Sequence, residues 1–313
     1  MTSDWCHLFA FMQENRGRTL ALATLIKSEG SSYRQPGARL LINEEGRFKG
    51  SLSGGCLEQG IAQVAQKVLQ DGCVRIEKIN TEPHFGCPGI LMIQVERLPA
   101  FGLLDDIVAK IMQRESFVLT TDREKTYLGR GDGLLEEVEA RTRLLVVGGT
   151  SDHEPLFRMA RELHWECCRI VPDGRVLEGL PVVAGERQSN CPASELQKRF
   201  QADSSTALLI MSHHLVTDLA YLKAGVEGGY RYLGLLGSQR RRQTLLNELG
   251  ECGLLEDERW LANFYGPIGL DLGANHPTTI ALAILAEVQA VLSGGAATFL
   301  REQAGRIHLK LTS

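Results

Sequence analysis

The first apolar residues of the chain recur at helical spacing. Trp5, Leu8, Phe9 and Met12, with Ser3 as a candidate cap, predict a short amphipathic helix over 3–15. The run TLALATLIKS (19–28) is apolar and rich in β-formers, a strand ending at Gly30, while ARLLIN (38–43) and RFKGSL (47–52) flank Glu45-Gly46 as a hairpin. Helical period returns in LEQGIAQVAQKVLQ (57–70), where Ile61, Val64, Ala65 and Val68 share one face. CVRIEKI and ILMIQVERL add two strands around the loop NTEPHFGCPG. The first hundred residues therefore predict a mixed α+β domain with long loops rich in Gly, Ser and Pro. Residues 98–141 read as a connector with its own structure: a helix (LLDDIVAKIMQR), strand-like SFVLTT, then a charged, glycine-containing stretch.

From residue 143 the texture changes. RLLVVGG, ECCRIVPD, TALLIMS and YRYLGLLGS are apolar without clean alternation, and helical stretches near 155–163 and 215–225 separate them. That pattern predicts a parallel sheet covered on both faces. The expected fold class is α/β: a mixed α+β domain at 1–97, the connector at 98–141, a Rossmann-like doubly wound domain at 142–292 and a tail at 293–313. The closing helix, PTTIALAILAEVQAVLSGG, is apolar around most of its circumference, which predicts burial against the sheet or a partner chain and suggests a homodimer.

A length of 313 residues suits two domains, and 34 Lys+Arg against 38 Asp+Glu give a net charge of −4, which argues against a general nucleic-acid binder. No window approaches 18 uninterrupted apolar residues, and the start of the chain lacks a basic leader, so a cytoplasmic protein without membrane attachment is expected. The eight cysteines form no C-x-x-C pair and read as free thiols. Cys73, Cys167 and Cys168 lie in apolar runs and read as core; Cys56 and Cys87 lie among glycines.

Five segments carry candidate chemistry. The turn VVGGTSDHEP sits where a dinucleotide fingerprint would, but its three glycine slots hold Gly148, Thr150 and His153 in one register and Gly149, Ser151 and Glu154 in the other. Ser151 to Glu154 instead resembles a helix capping box, with negative charge where a phosphate would bind. The loops GSSYRQPGARLLI and GSLSGGCLE offer Arg34, Arg39 and many backbone N–H groups, a set suited to a polyanion. Cys56 begins a helix, whose dipole favours thiolate, and Glu58, two residues on, either caps that helix or acts in the site; the alternative is a tight loop with an inert cysteine. His213-His214, with Ser212 and Asp218, follows a strand of the parallel sheet, as either a polar ligand group or solvated residues. GLLGSQRRRQ opens a helix with Arg240, Arg241 and Arg242, an anion site or a solvated basic patch. YGPIGLDLGANHP places Asp271 in a loop before the last helix.

Taken in order, these segments resemble the XdhC/CoxI family of accessory proteins for xanthine dehydrogenase and related molybdenum hydroxylases. The run ALATLIKSEGSSYRQPGARLLI…GSLSGGCLE is similar to its N-terminal domain, and MSHH, YLGLLGSQRRR and PIGLDLGANHPTTIALAILAEV follow as in its second domain. The resemblance implies a maturation chaperone rather than turnover of a metabolite. Its cargo would be molybdenum cofactor, molybdopterin alone or as a dinucleotide, and its partners an apo molybdenum hydroxylase and a cysteine desulfurase. Carried onto this chain, it implies a cofactor surface of Ser31, Ser32, Arg34, Arg39, Ser53, Gly54, Gly55, Cys56 and Glu58, with Cys56 as the metal ligand. In the second domain it implies Gly148, Gly149, His213, Gly237, Ser238, Arg240 and Asp271. The turn Gly-Gly-Thr-Ser-Asp-His departs from the family's Gly-Ala-Gly-His, and Cys87 is followed by Pro88 where a glycine is commoner. Two other classes compete: an NAD(P)-dependent oxidoreductase using the second domain, and a non-catalytic pterin- or nucleotide-sensing module.

Overall fold

The computed structural model describes residues 4–30, 33–55, 57–81, 89–149, 153–172, 185–254 and 258–302. They divide into two compact units between Ala140 and Arg141. The N-terminal unit comprises α1 (Asp4–Glu14), β1 (Leu20–Gly30), β2 (Arg39–Ile42), β3 (Phe48–Gly50), α2 (Glu58–Asp71), β4 (Arg75–Asn80), β5 (Gly89–Leu98), α3 (Leu103–Gln113), β6 (Phe117–Thr121), β7 (Thr126–Leu128) and β8 (Leu134–Val138).

Five of its strands form an antiparallel sheet in the order β3-β2-β1-β5-β4. The two-residue period of a strand sorts β1 onto two cores. Ala21, Ala23 and Leu25 pack with Ile93, Val95 and the α2 residues Ile61, Ala65 and Val68. Leu20 and Leu22 pack with Trp5 and Leu8 of α1, Ile107 of α3, and Phe117 and Leu119 of β6. Burial on both faces is why β1 reads as a continuous apolar run rather than an alternating one. Residues 98–141 thus supply α3 and a second sheet, β7-β6-β8, which share a core with α1 and β1. Cys73 departs from its reading as core: it is exposed, ahead of the edge strand β4, whose residues alternate between half-buried and exposed.

The second face of the large sheet also carries buried polar residues: Thr24, Arg39, Gln94 and Glu96. Arg39, expected to face a ligand, is 0% exposed. Its guanidinium pairs with Glu136 of β8, donates to the Gly37 carbonyl at 2.8 Å and lies 4.8 Å over the Trp5 ring. An arginine cannot shed its charge, so inside the fold it needs such partners. Glu96 accepts from the Thr126 N–H at 2.9 Å and hydroxyl at 2.6 Å; burial pushes its carboxyl up against those bonds.

The C-terminal unit comprises β9 (Arg143–Val147), α4 (His153–Glu162), β10 (Glu166–Val171), β11 (Glu186–Asn190), α5 (Leu196–Arg199), β12 (Thr206–Ile210), α6 (Leu215–Gly228), β13 (Tyr232–Leu235), α7 (Gln239–Glu251), β14 (Phe264–Tyr265) and α8 (Pro277–Ser293). Its six strands are parallel in the order β11-β10-β9-β12-β13-β14. The chain starts in the middle, builds outward, and returns to build the other half, which is the Rossmann arrangement. Leu145, Val147, Leu208 and Ile210 face α6 and α7, while Leu144, Val146, Ala207 and Leu209 face α4 and α8. Cys167 and Cys168 are buried core as expected, their thiols pushed up to about 12 by burial. Helix α8 is less evenly buried than its composition suggests: Ala281, Ile284, Leu285, Val288 and Leu292 enter the core, but Leu282 is 52% exposed. Among the described residues no helix is long and apolar enough to cross a membrane.

The Arg39–Glu136 pair makes a definite demand on stability. Arg39→Ala removes the buried partner of the half-buried Glu136 carboxylate and is expected to cost about 3 kcal/mol in urea unfolding, whereas the double replacement Arg39→Met with Glu136→Leu recovers most of that loss. A double variant no more stable than Arg39→Ala would contradict a purely structural role.

Candidate functional site

The loop Ser51–Leu57 is organised by the first residue of α2. Glu58 is buried, and its carboxylate accepts from the Leu52 N–H at 2.8 Å, the Ser53 N–H at 2.9 Å, the Leu57 N–H at 3.0 Å, and the hydroxyls of Ser51 and Ser53 at 3.1 and 2.9 Å. Burial alone would raise its pKa, but the backbone and Ser53 hydrogen bonds to the charged form prevail and hold it at about 2. Ser51 takes the Gly54 N–H at 3.0 Å, and Ser53 the Leu57 N–H at 3.0 Å.

This changes the expected chemistry. The amide nest that sequence assigned to a ligand phosphate is filled by the chain's own carboxylate. Glu58 and Ser53 are therefore positioning residues of the loop, and both Glu58 oxygens are spent. What the loop exposes is the Gly54–Gly55 segment, with φ of 86° and 119°, a region that residues with a Cβ rarely adopt. The exposed ring of Tyr33 lies 3.2 Å from where a Cβ on Gly54 would stand, so the two glycine-rich loops meet there. Arg34 does not join them as a free cation, because its guanidinium is held by Asp4 of α1. Ser31, Ser32, Cys56 and Cys87 lie outside the described residues.

In the C-terminal unit, the structure gathers several predicted residues at the carboxyl ends of β9, β12 and β13, the edge where such sheets take ligands. Gly148 has φ of 128°, and a Cβ there would come within 2.6 Å of the Met211 carbonyl oxygen, so only glycine lets the turn after β9 close on the end of β12. His213 follows β12, exposed, with a left-handed φ of 60°. Ser238 caps α7 by accepting the Arg241 N–H at 3.2 Å. Gly149 is half-buried, and Arg240 and Asp271 are exposed. No hydrogen bond among the described residues ties Asp271 to the others.

The side chain that does reach inward is Arg241, one residue beyond the predicted Arg240. Its Nε donates to Asp218 at 3.0 Å and its Nη2 at 2.5 Å, and the Ser212 hydroxyl donates to the other oxygen of the same buried carboxylate. Gly237 makes room for it, since a Cβ there would lie 2.5 Å from the Arg241 Cδ. Asp218 is thus committed to a brace between the β12 and β13 loops. Within the described residues no group of three or more His, Cys, Asp or Glu could hold a metal ion. The one signal for Arg241 in the sequence was helical position: as the third residue of the helix, it returns over the cap while Arg240 points away.

His153, at the start of α4, is fully buried, edge-on to Phe157 with ring centroids 6.2 Å apart. Desolvation, aided by the nearby Arg169 charge, lowers its pKa to about 4, so the ring is neutral at pH 7. It fills the position where the third glycine of a dinucleotide fingerprint allows close helix packing. Thr150, Ser151 and Asp152, and Asp173 beyond β10, lie outside the described residues.

Comparison with known proteins agrees with both units. Residues 14–80 match the family model described as the XdhC and CoxI family, and residues 144–288 match that of the XdhC Rossmann domain. The molybdenum cofactor insertion chaperone PaoD of Escherichia coli (strain K12) is 27% identical over 285 residues, covering 88% of this chain and 84% of PaoD. A probable xanthine dehydrogenase subunit of Bacillus subtilis (strain 168) is 26% identical over 313 residues, covering 85% of this chain and 91% of that protein. The crystal structure of a xanthine dehydrogenase from Bacillus halodurans has the same fold, with a TM-score of 0.74 at 23% identity over 95% of this chain and 98% of that one.

Glu58 and His153, both buried and both lowered in pKa, separate by pH window. His153 has a folded pKa of about 4 against an ordinary 6.5, so on acidification the unfolded chain binds its proton first. Stability from this group is complete above pH 6.5 and is lost as pH falls to 4, by at most ~1.4 kcal/mol per pH unit. Glu58, at about 2 against an ordinary 4.5, contributes fully above pH 4.5 and loses that contribution as pH falls through 2. Urea midpoints measured in pH steps are expected to lose the upper slope in His153→Leu and the lower slope in Glu58→Gln.

Proposed function

The chain belongs to the XdhC/CoxI family, and on that premise we propose that it binds molybdenum cofactor as cargo and delivers it to an apo molybdenum hydroxylase of the xanthine dehydrogenase type. The observation that carries this reading is the Glu58-braced loop, which holds the Gly54–Gly55 backbone exposed directly before Cys56 in the chain. Such a loop suits a soft ligand rather than a phosphate: the amides of Leu52, Ser53, Gly54 and Leu57 are already used, and a cysteine thiolate is a preferred partner for soft metals and sulfur exchange. Cys56 is proposed to ligate molybdenum or hold the site open while a cysteine desulfurase supplies the terminal sulfur. In the C-terminal unit, the exposed His213, Ser238 and Arg240 beside the starts of α6 and α7 are the groups suited to a phosphate or nucleotide. The names of the two relatives, an insertion chaperone and a dehydrogenase subunit, support the same class of client. A cytoplasmic homodimer belongs to this reading, with the exposed side of α8 around Leu282 as part of the contact.

The strand order of the C-terminal unit also suits a dinucleotide, which keeps the oxidoreductase as the second reading. The buried His153 argues against it. Calorimetric titration of NAD(H) is expected to give no dissociation constant in the low micromolar range, because about −8 kcal/mol requires well-formed pyrophosphate contacts. A micromolar constant with hydride transfer would favour the enzyme.

The direct test is purification from a host that makes the cofactor, followed by oxidation of any bound molybdopterin to its fluorescent product and by activation of the apo-hydroxylase. Wild type is expected to retain cofactor and activate; Cys56→Ser is expected to fold, retain less than a tenth as much, and fail to activate. Cys73→Ser, at an exposed thiol outside the loop, serves as the control and is expected to match wild type. Equal retention and activation by wild type and Cys56→Ser would remove the thiol from the mechanism. Absence of cofactor from wild type would remove the chaperone reading.

A further inference from the structure

The N-terminal unit contains an open groove of about 750 Å³, within the range of small-molecule sites. It runs between the middle of β1 and β5 on one side and, on the other, the turn between β6 and β7 and the start of β8. Ile26, Met92 and Leu134 give it apolar walls; the cations Lys27 and Arg123 and the carboxylates Asp122, Glu124 and Asp132 stand along it; Gln94 is among its lining.

Gln94 is the anomaly. Its side chain is 0% exposed, and neither its amide oxygen nor its amide nitrogen has a hydrogen-bond partner. On the same face of the sheet Glu96 is held by Thr126, and Arg39 by Glu136 and the Gly37 carbonyl through Nη1 alone. The Thr24 hydroxyl opposite Gln94 and the Arg39 Nε and Nη2 are also unpartnered, so a patch of unmet polar groups surrounds Gln94. A buried amide left unpaired is destabilising, and native folds seldom keep one without a use. An amide presents a donor and an acceptor side by side, the complement of a lactam or aminopyrimidine edge.

The backbone beside it is adapted too. The β1–β5 register shifts between Leu25 and Lys27, so Ile26 is an extra residue on β1. Without that bulge, Lys27 would point with Leu25 into the core under α2. With it, Lys27 pairs with Met92 and turns to the groove side, where Glu29 holds its ammonium at 2.6 Å. Bulges of this kind re-aim side chains next to functional sites. Arg123, exposed in the β6–β7 turn, has no partner among the described residues.

We propose that this groove binds a planar nitrogen heterocycle bearing a lactam edge, a pterin or a guanine base. Gln94 reads the edge, Met92 and Ile26 lie against the ring, and Arg123 and Lys27 meet an anionic substituent. Placing the pterin end of a molybdenum cofactor here rests on the chaperone reading; the groove and its ligand class do not.

The test uses the full chain and three probes in fluorescence or calorimetric titration: 6-carboxypterin, GMP, and quinoxaline-2-carboxylate, which keeps a fused ring and an anion but has no lactam edge. Saturable binding of 6-carboxypterin or GMP, at least tenfold tighter than the quinoxaline, is expected; whichever binds tighter identifies the source of the ring. Gln94→Leu removes the unpaired amide, so it is expected to melt at the same or a higher temperature while losing at least tenfold in affinity. Arg123→Ala, at an exposed turn, is expected to weaken both anionic probes several-fold and keeps the test decisive if Gln94→Leu does not fold. No saturation by either lactam probe, or unchanged affinity in a folded Gln94→Leu, overturns the proposal. If Gln94→Leu keeps lactam affinity yet still carries cofactor and activates the hydroxylase, the groove is wrong and the chaperone reading stands. If lactam binding depends on Gln94 but wild type carries no cofactor, the reverse holds.

Discussion

The Glu58 carboxylate must collect hydrogen bonds because it is buried, and that need shapes the loop before α2. Three backbone N–H groups and two hydroxyls converge on its two oxygens. Once they do, Leu52, Ser53 and Leu57 are held in place, and Gly54 and Gly55 take up left-handed torsions. The local anion site and the exposed glycine segment are two sides of one arrangement. An outside phosphate would have to displace the internal carboxylate from these amides.

The same logic governs the C-terminal unit. Asp218 lies buried at the start of α6, and Arg241 from α7 reaches it beside Gly237. This brace joins the loops after β12 and β13, while Gly148 brings the turn after β9 against Met211. Three strand ends are thereby set at the switch point of the sheet by one ion pair and one missing Cβ. His213 and Arg240 are left exposed outside the brace.

Much of the architecture was legible in the chain because its signals are local. Period-3.6 apolar spacing marked α1 and α2, and unbroken apolar runs marked β9, β10 and β12, whose residues are buried on both faces of the sheet. The pairing of β1 with β5, some seventy residues apart in number, leaves no such trace, nor does the bulge at Ile26. Residues 98–141 looked independent because a helix and three short strands are a complete local pattern; only their shared core with Trp5 and Leu22 makes them part of the first unit.

By itself, the sequence determined the two-part α/β plan, the order of glycine-rich loops and the family to which they belong, since these depend on spacing within a few residues. Tertiary structure decided which polar groups remain available. Arg39 is neutralised by Glu136, 97 residues away, Arg34 by Asp4, 30 residues away, and Asp218 by Arg241, 23 residues away. Gln94 stays unpaired, as does the Thr24 hydroxyl opposite it, whereas Glu96 on the same face is met by Thr126. Burial and pairing are properties of the folded surface, and the energy that assigns a buried charge its partner acts through space rather than along the chain.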